Sequence, residues 1–425
     1  RVSLKTAQQK QGSWVMFPDD LGIPGFLGYL TKFDPESAYA KGHIVAGQNT
    51  TVADGKITVR PFGSEVVGAS SSATTPIKTQ AVFEKRDGTQ PQVRMYGTVV
   101  EWKHPSVNAW ETLETGFTTG KVFGVAALSY NADSTPFLYF CNAYEAMYRW
   151  NGAYGTFASA TATTIVLEGS TTLADLGFGA TGSVVIDGID YAYTGLSSQT
   201  FTGVTPDPTA GGHAVGEPLA QVPATVAAAP RGNILMVKDA ALFVSGILYN
   251  AAGTLAPRPT EVHRSKVGDA TNWTVSATAA DPKRQEFPEG GGRIVALVQD
   301  EQAIYIVKET CVVIWTISSA DAFPTTVLKA FDGKSQSTGA VSSRAIWSGA
   351  NGVYFLNQMS ELMAIQRLTG IDTPQAVRIS EPIEPTLVAG VHTTAVGITF
   401  RGKAYLSTRS SSDASANDVV YVYDE

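Results

Sequence analysis

Charge is what this sequence has least of: only 16% of its 425 residues are Asp, Glu, Lys or Arg. The balance is acidic, 31 Lys and Arg against 38 Asp and Glu, for a formal net charge of -7. A surface that grips nucleic acid draws its affinity from clustered Lys and Arg, so no such surface is expected. The same balance is compatible with a lumen through which DNA passes without adhering. Cysteine is scarce as well. Cys141 and Cys311 are too few for a disulfide framework, and each lies in an apolar run (FLYFC and CVVIW), which predicts buried free thiols. No run approaches the roughly 18 consecutive apolar residues of a transmembrane helix. The opening segment RVSLKTAQQKQGSW lacks an apolar h-region, so no signal peptide is expected there, and a start on Arg1 rather than Met is compatible with processing.

What the chain does have is apolar residues, 44% of the total, together with 41 Gly and 21 Pro. Sustained helical periodicity with caps is absent. Short strands joined by frequent turns are expected, and the fold class is all-β.

One pattern recurs. Apolar runs come in threes, separated by tight polar turns. From Thr79 they read TQAVFEK, PQVRMYG and VVEWK; from Val122, VFGVAALSY, FLYFCN and AMYRWNG. From Gly232 they read GNILMVK, ALFVSG and, after a longer loop, EVHRSKV; from Arg293, RIVALVQD, AIYIVK and CVVIWTI. Ser343 opens SRAIWS, VYFLN and LMAIQRL, and Ala395 opens AVGITF, KAYLSTR and VVYVYDE. With one insertion set aside, the units recur at roughly the spacing of four-stranded propeller blades. No single meander has enough apolar surface to stand alone, so stacking about an axis is what buries it. The expectation is a β-propeller of about six blades, with five to seven compatible, carrying an inserted small β-module.

The corresponding domains are an arm at 1–62, propeller blades at 63–154, the inserted module at 155–222 and further blades at 223–425. The inserted stretch is expected between the second and third blades, with VPATVAAAPRG as a linker-like return. Because the chain stops in the third strand of its last unit, ring closure needs a fourth strand from elsewhere. GKITVRP (Gly55 to Pro61) is the expected donor.

Motifs with chemistry are few. Gly177, Gly179 and Gly182 satisfy G-x-G-x-x-G, but a strand (SVVIDG) follows where a dinucleotide site needs a helix, so turn glycines are expected. GFTTGKV (Gly116 to Val122) lacks the spacing of a phosphate loop and has Val where Ser or Thr must reach magnesium. His43, His104, His213, His263 and His392 are scattered without zinc-ligand spacing. Asp187 and Asp190 (DGID) read as a hairpin turn in preference to a calcium loop. SKVGDATNW (Ser265 to Trp273) resembles a sialidase Asp-box loosely; it lacks the acid at the expected offset and occurs once. The sequons at Asn49 and Asn272 are expected to be chance matches. No nucleophile elbow is present, and neither cysteine has a neighbouring His or basic setting. No catalytic, cofactor-binding or metal-binding residue is assigned, and no enzyme activity is expected.

Three stretches carry a resemblance. TEVHRSKVGDATNWTV, followed by a Gly-rich turn, RIVALVQDEQAIYIVKETCVVIWTI and the later strand Gly352 to Leu356, is similar to a signature of phage tail propellers. SVVIDGIDYAYTGLSSQTFTGVT resembles a small β-module of phage structural proteins, and NTTVADGKITVRPFG is similar to the segment that precedes the propeller in such chains. Over most of residues 50–370 the chain thus resembles the tail nozzle, or tail tubular protein B, family of short-tailed phages. That resemblance implies a non-enzymatic virion protein without cofactors. It would form a homo-oligomeric ring, hexameric by preference, around the DNA exit channel, and contact adaptor or head-to-tail connector proteins and tail fibres without binding DNA sequence-specifically. The rival expectation is a glycan-binding or glycan-hydrolysing propeller, which would need acids and arginines converging at the axial mouth.

Overall fold

The computed structural model describes residues 77–85, 87–104, 110–128, 136–276, 281–299, 303–315, 339–349, 352–366, 374–380, 390–400, 403–412 and 419–424. It also describes the isolated positions 383, 387 and 417, and strand backbones at 13–18, 50–53, 56–59, 325–327 and 329–330. The chain divides into two compact units, residues 65–286 and residues 1–64 with 287–425.

In the unit 65–286, Ile77–Val82, Gln92–Tyr96, Val99–Lys103 and Trp110–Glu114 form an antiparallel meander, blade 1. Gly124–Leu128, Phe137–Cys141, Met147–Trp150 and Ala224–Val226 form blade 2. Ile234–Lys238, Ala241–Ser245, Glu261–Arg264 and Lys283–Glu286 form blade 3. Alternate residues of a strand point to opposite faces, and here both faces are apolar. Leu138 and Phe140 join Val93, Met95, Val100 and Trp102 of blade 1 in one core. Their neighbours Tyr139 and Cys141 join Leu242 and Val244 of blade 3 in another. Blade 2 is therefore a wedge between its sequence neighbours.

The other unit repeats the device. Blade 4 comprises Ile294–Gln299, Ile304–Lys308, Val312–Trp315 and Thr325–Val327. Blade 5 comprises Ile346–Gly349, Gly352–Leu356, Leu362–Gln366 and Gln375–Arg378, with Lys329–Ala330 added in parallel at its edge. Val353, Phe355, Met363 and Ile365 pack with Tyr305, Val307, Val312 and Ile314 of blade 4. Tyr354, Leu356, Leu362 and Ala364 pack instead with Ala404, Leu406 and Tyr421. These last belong to blade 6, built from Val391–Phe400, Lys403–Arg409, Val419–Asp424 and Ser13–Pro18. The chain is all-β, with a six-bladed β-propeller arrangement and additional small sheets.

Two details differ from the sequence expectation. The strand that completes blade 6 is Ser13–Pro18, antiparallel to Val419–Asp424 from Ser13↔Asp424 to Pro18↔Val419. The expected donor instead pairs locally, Lys56–Val59 against Thr50–Ala53. In the sequence Asp54-Gly55 lies between those two strands, and that dipeptide is the strongest short-range hairpin signal. The insertion, for its part, lies inside blade 2. Ala224–Val226, read as linker, is that blade's fourth strand and pairs with Met147–Arg149.

The inserted module spans the strands Tyr154–Thr161, Thr164–Leu167, Gly182–Ile186, Ile189–Tyr193, Gly195–Ser197, Thr200–Thr202 and Pro218–Gln221. They make one seven-stranded sheet whose two edge strands are Ile189–Tyr193 and Gly195–Ser197. Only Thr194 separates those edges in sequence, so the sheet must curl back on itself, and Thr194 N–H donates to Thr202 O across the junction. Phe157, Ile165, Val184, Tyr193, Phe201 and Leu219 fill the interior of the curl.

Candidate functional site

Most of the polar residues singled out from the sequence are engaged in holding strands and turns. Asp187 and Gly188 both have positive φ (48° and 75°) and form the two-residue loop between Ile186 and Ile189, a hairpin turn as expected. His392 is buried against Leu387 O, 2.7 Å from Nε2, and burial pushes its imidazole below the ordinary value. His104 is packed edge-on against Trp102 and Tyr154, and burial lowers it too. His43 and Asn49 lie outside the described residues. Among the described residues, no three His, Cys, Asp or Glu side chains are grouped as metal ligands.

Two histidines are better partnered than the sequence suggested. His213 accepts or donates at both ring nitrogens, 2.7 Å from Tyr191 Oη and 3.0 Å from Glu217 Oε2. The i, i+4 spacing of His213 and Glu217 was the only trace of this in the sequence. His263 Nε2 lies 3.0 Å from Glu261 Oε2, and Glu261 also accepts from Arg284 Nη2 at 2.6 Å and Arg258 Nη1 at 3.3 Å. Burial by itself raises the Glu261 carboxyl, but the bonds from Arg284 and His263 and the arginine charges outweigh it and hold the group below the ordinary Glu value. Burial pushes His263 below its ordinary value, against the pull of Glu261.

A carboxyl whose folded value is depressed stabilises fully above its unfolded value, and that contribution is lost as pH falls through the folded one. A histidine with a depressed folded value also disfavours the folded state as pH drops below its unfolded value. Both groups therefore make the unit acid-sensitive. Glu261→Gln is expected to cost about 1 kcal/mol near neutrality, the exposed arginines being screened by solvent, and the difference should vanish well below pH 4. Urea unfolding at neutral and acid pH measures this; a constant difference across pH would contradict it.

Both thiols are free and buried, as expected. Burial raises Cys141 to about 11 and raises Cys311 as well. A thiolate is the reactive form, so neither should react with a disulfide reagent in the native chain and both should react in urea. Fast native labelling would contradict the packing.

The Asp-box-like segment is a structural lock. Ser265 Oγ accepts from Leu242 N–H and donates to Lys266 O. Asp269 Oδ1 accepts from Thr271 N–H and hydroxyl, and Trp273 Nε1 donates to Ala270 O at 2.9 Å. The Lys308-Glu309-Thr310-Cys311 hairpin is a second one. Fully buried Lys308 donates from Nζ to Phe287 O (2.8 Å) and Glu289 O (2.6 Å), and Thr310 Oγ1 donates to Gly290 O. Together they grip the glycine loop 288–292, where Gly290, Gly291 and Gly292 all have φ between 66° and 69°. A Cβ on Gly290 would collide with Cys311 Sγ, so glycine is required there.

Among the described residues, one feature with room for a ligand is a groove of about 500 Å³ where the module joins blade 2. Its walls come from Phe137, Arg149 and Trp150 of the blade and from the turn bearing Gly177 and Gly179. Gly177 and Gly179 thus serve as turn residues that form a wall, whereas Gly182 opens the strand Gly182–Ile186 and pairs with Tyr193. Asn151 ties the two sides, Nδ2 donating to Gly177 O at 2.6 Å and reaching Gln221 Oε1 at 3.5 Å. Tyr193 Oη fixes the same turn by donating to Gly179 O. Arg149 lies over the Phe137 ring, Cζ 4.6 Å from the centroid.

No family model matches the chain, and no curated protein matches it. Among solved structures it is similar to Hsv2 of Kluyveromyces lactis, at 7% identity over 79% of this chain and 93% of that one, with a TM-score of 0.28. It is also similar to the PQQ-bound aldose sugar dehydrogenase of Streptomyces coelicolor, at 13% identity over 82% and 95%, TM-score 0.35. A third is the GH93 α-L-arabinofuranosidase of Fusarium graminearum with arabinobiose, at 9% identity over 84% and 96%, TM-score 0.31. At these scores the likenesses decide nothing about activity, and the propeller assignment rests on the blades themselves.

Proposed function

We propose that the chain is a structural component of a phage tail, one protomer of a homo-oligomeric ring that surrounds the DNA exit channel. The observation that carries this reading is the use made of the segments that resemble tail propellers. Ser265, Asp269, Trp273, Lys308 and Thr310 spend their polar atoms on backbone groups of their own unit. Such residues stiffen a frame, which is what a conduit under mechanical load needs. In cyclic symmetry one set of contacts, repeated, closes the ring. The curled module, inserted between the third and fourth strands of blade 2 and anchored in the core of blades 1 and 2 through Val185 and Ala220, is the part suited to meeting adaptor proteins or fibres, since insertions carry such contacts. With a net charge of -7 the chain would line a lumen without retaining DNA.

Native mass spectrometry of the full chain across a concentration series tests the reading. A closed oligomer, hexameric by preference, is expected. A monomer at every concentration, or turnover in a panel of glycosidase substrates, would overturn it.

A further inference from the structure

We infer that the groove between the inserted module and blade 2 is a binding site for a carboxylated saccharide, with Arg149 as the carboxylate anchor. The inference stands on the groove alone and is independent of ring formation.

Arg149 carries the case. It lies on Met147–Trp150, half-buried, between Tyr139 on one neighbouring strand and Ala224 on the other. Its guanidinium is stacked on Phe137, yet among the described residues it has no hydrogen-bonding or carboxylate partner. Elsewhere in the same unit, buried or half-buried arginines are matched: Arg94 to Glu101 at 2.6 Å and Arg284 to Glu261 at 2.6 Å. A guanidinium held by ring stacking alone keeps its planar fork of N–H donors open for a planar, two-oxygen acceptor.

The surrounding donors agree in sign. Gln221 Oε1 faces Asn151 Nδ2, which leaves the Gln221 NH2 group without an acceptor among the described residues. Thr181 also lines the groove, and among the described residues its hydroxyl has no hydrogen-bonding partner. The groove therefore offers a cation, an amide N–H pair and a hydroxyl, beside the apolar Ala174, Val222 and Ala224. One uncompensated positive charge calls for one negative charge, and the neutral donors suit hydroxyl and ring oxygens. A volume of about 500 Å³ falls in the range of small-molecule sites and exceeds what a single acidic side chain would fill. A uronic acid, or a terminal sugar acid of a longer glycan, has this combination of one carboxylate, several hydroxyls and an apolar ring face.

The test uses the full chain and ligand-observed NMR with titration calorimetry. Glucuronate and galacturonate are the probes; glucose, inorganic phosphate and N-acetylglutamate amide are the comparators. The uronates should bind, with saturation transfer to ring protons, and the comparators should bind at least about tenfold more weakly. Arg149→Gln should weaken uronate binding about tenfold or more while the thermal midpoint stays near that of the parent. Gln221→Glu, which places an acid beside the anchor, should weaken it as well without touching the arginine. Equal binding of glucose or phosphate, preference for the glutamate amide, no uronate binding at millimolar concentration, or binding unchanged in both variants would each overturn the assignment.

Discussion

Deleting residues 1–18 is expected to lower the thermal midpoint by roughly 10 °C and to make the chain aggregate on warming. Ser13–Pro18 pairs with Val419–Asp424 along its full length, so deletion strips the inter-strand bonds from one side of that strand. At about 1 kcal/mol net for each bond, the loss is about 3–5 kcal/mol. For a unit of this size each kcal/mol moves the midpoint by about 2–4 °C. Val419–Asp424 is then left as an edge strand with a row of unpaired backbone groups open to pairing with another chain. Deletion of residues 1–12 leaves the pair intact and serves as control. Equal midpoints for the two deletions, measured by calorimetry, would show that blade 6 does not need this strand.

Lys308→Met is expected to destabilise the chain by about 3–5 kcal/mol. Methionine matches the volume of the aliphatic stem, so packing is nearly kept and the loss is electrostatic. Two carbonyls, Phe287 O and Glu289 O, lose a charged donor at once, and each such bond is worth about 1.5–3 kcal/mol. The three successive positive-φ glycines of the adjoining loop carry no side chains, so the loop depends on such bonds from outside it, with the Thr310 hydroxyl on Gly290 O as a further side-chain grip. The substituted chain should therefore show early proteolytic cutting near residues 288–292 under native conditions, in addition to a lower urea midpoint. If Lys308→Met unfolds at the parent's urea concentration and resists protease equally, the ammonium does not organise that loop.

How far the architecture could be read from the sequence depended on strand chemistry. Blade cores were legible because runs such as AIYIVK and CVVIW are apolar on both faces, as strands between two layers must be. Outer strands were not. Lys283–Glu286 is KRQE and Ala224–Val226 is three residues beside Pro and Ala, and neither has the period or the content of a strand until a partner supplies the pairing. That is why the sequence reads Ala224–Val226 as linker and the insertion as lying between the second and third blades, when it lies inside the second. GKITVRP is the expected closing strand because it lies just before the first blade, but KITV has a partner two residues away and pairs with it, and the closing strand is SWVMFP, in a stretch where no repeat is visible in the sequence. The lock formed by Ser265 to Trp273 was visible as a motif, but its role was not. The groove left even less trace: Arg149, Gln221 and Thr181 are far apart in sequence and become neighbours only because the module leaves and re-enters the same blade.

Cryo-electron microscopy of the full chain tests the structural account most directly. The expected image is a closed ring of identical protomers, each showing six radial wedges with a small curled sheet projecting from the second. Protomers with two facing sheets in place of wedges, or six-wedge particles that remain single at every concentration, would contradict it.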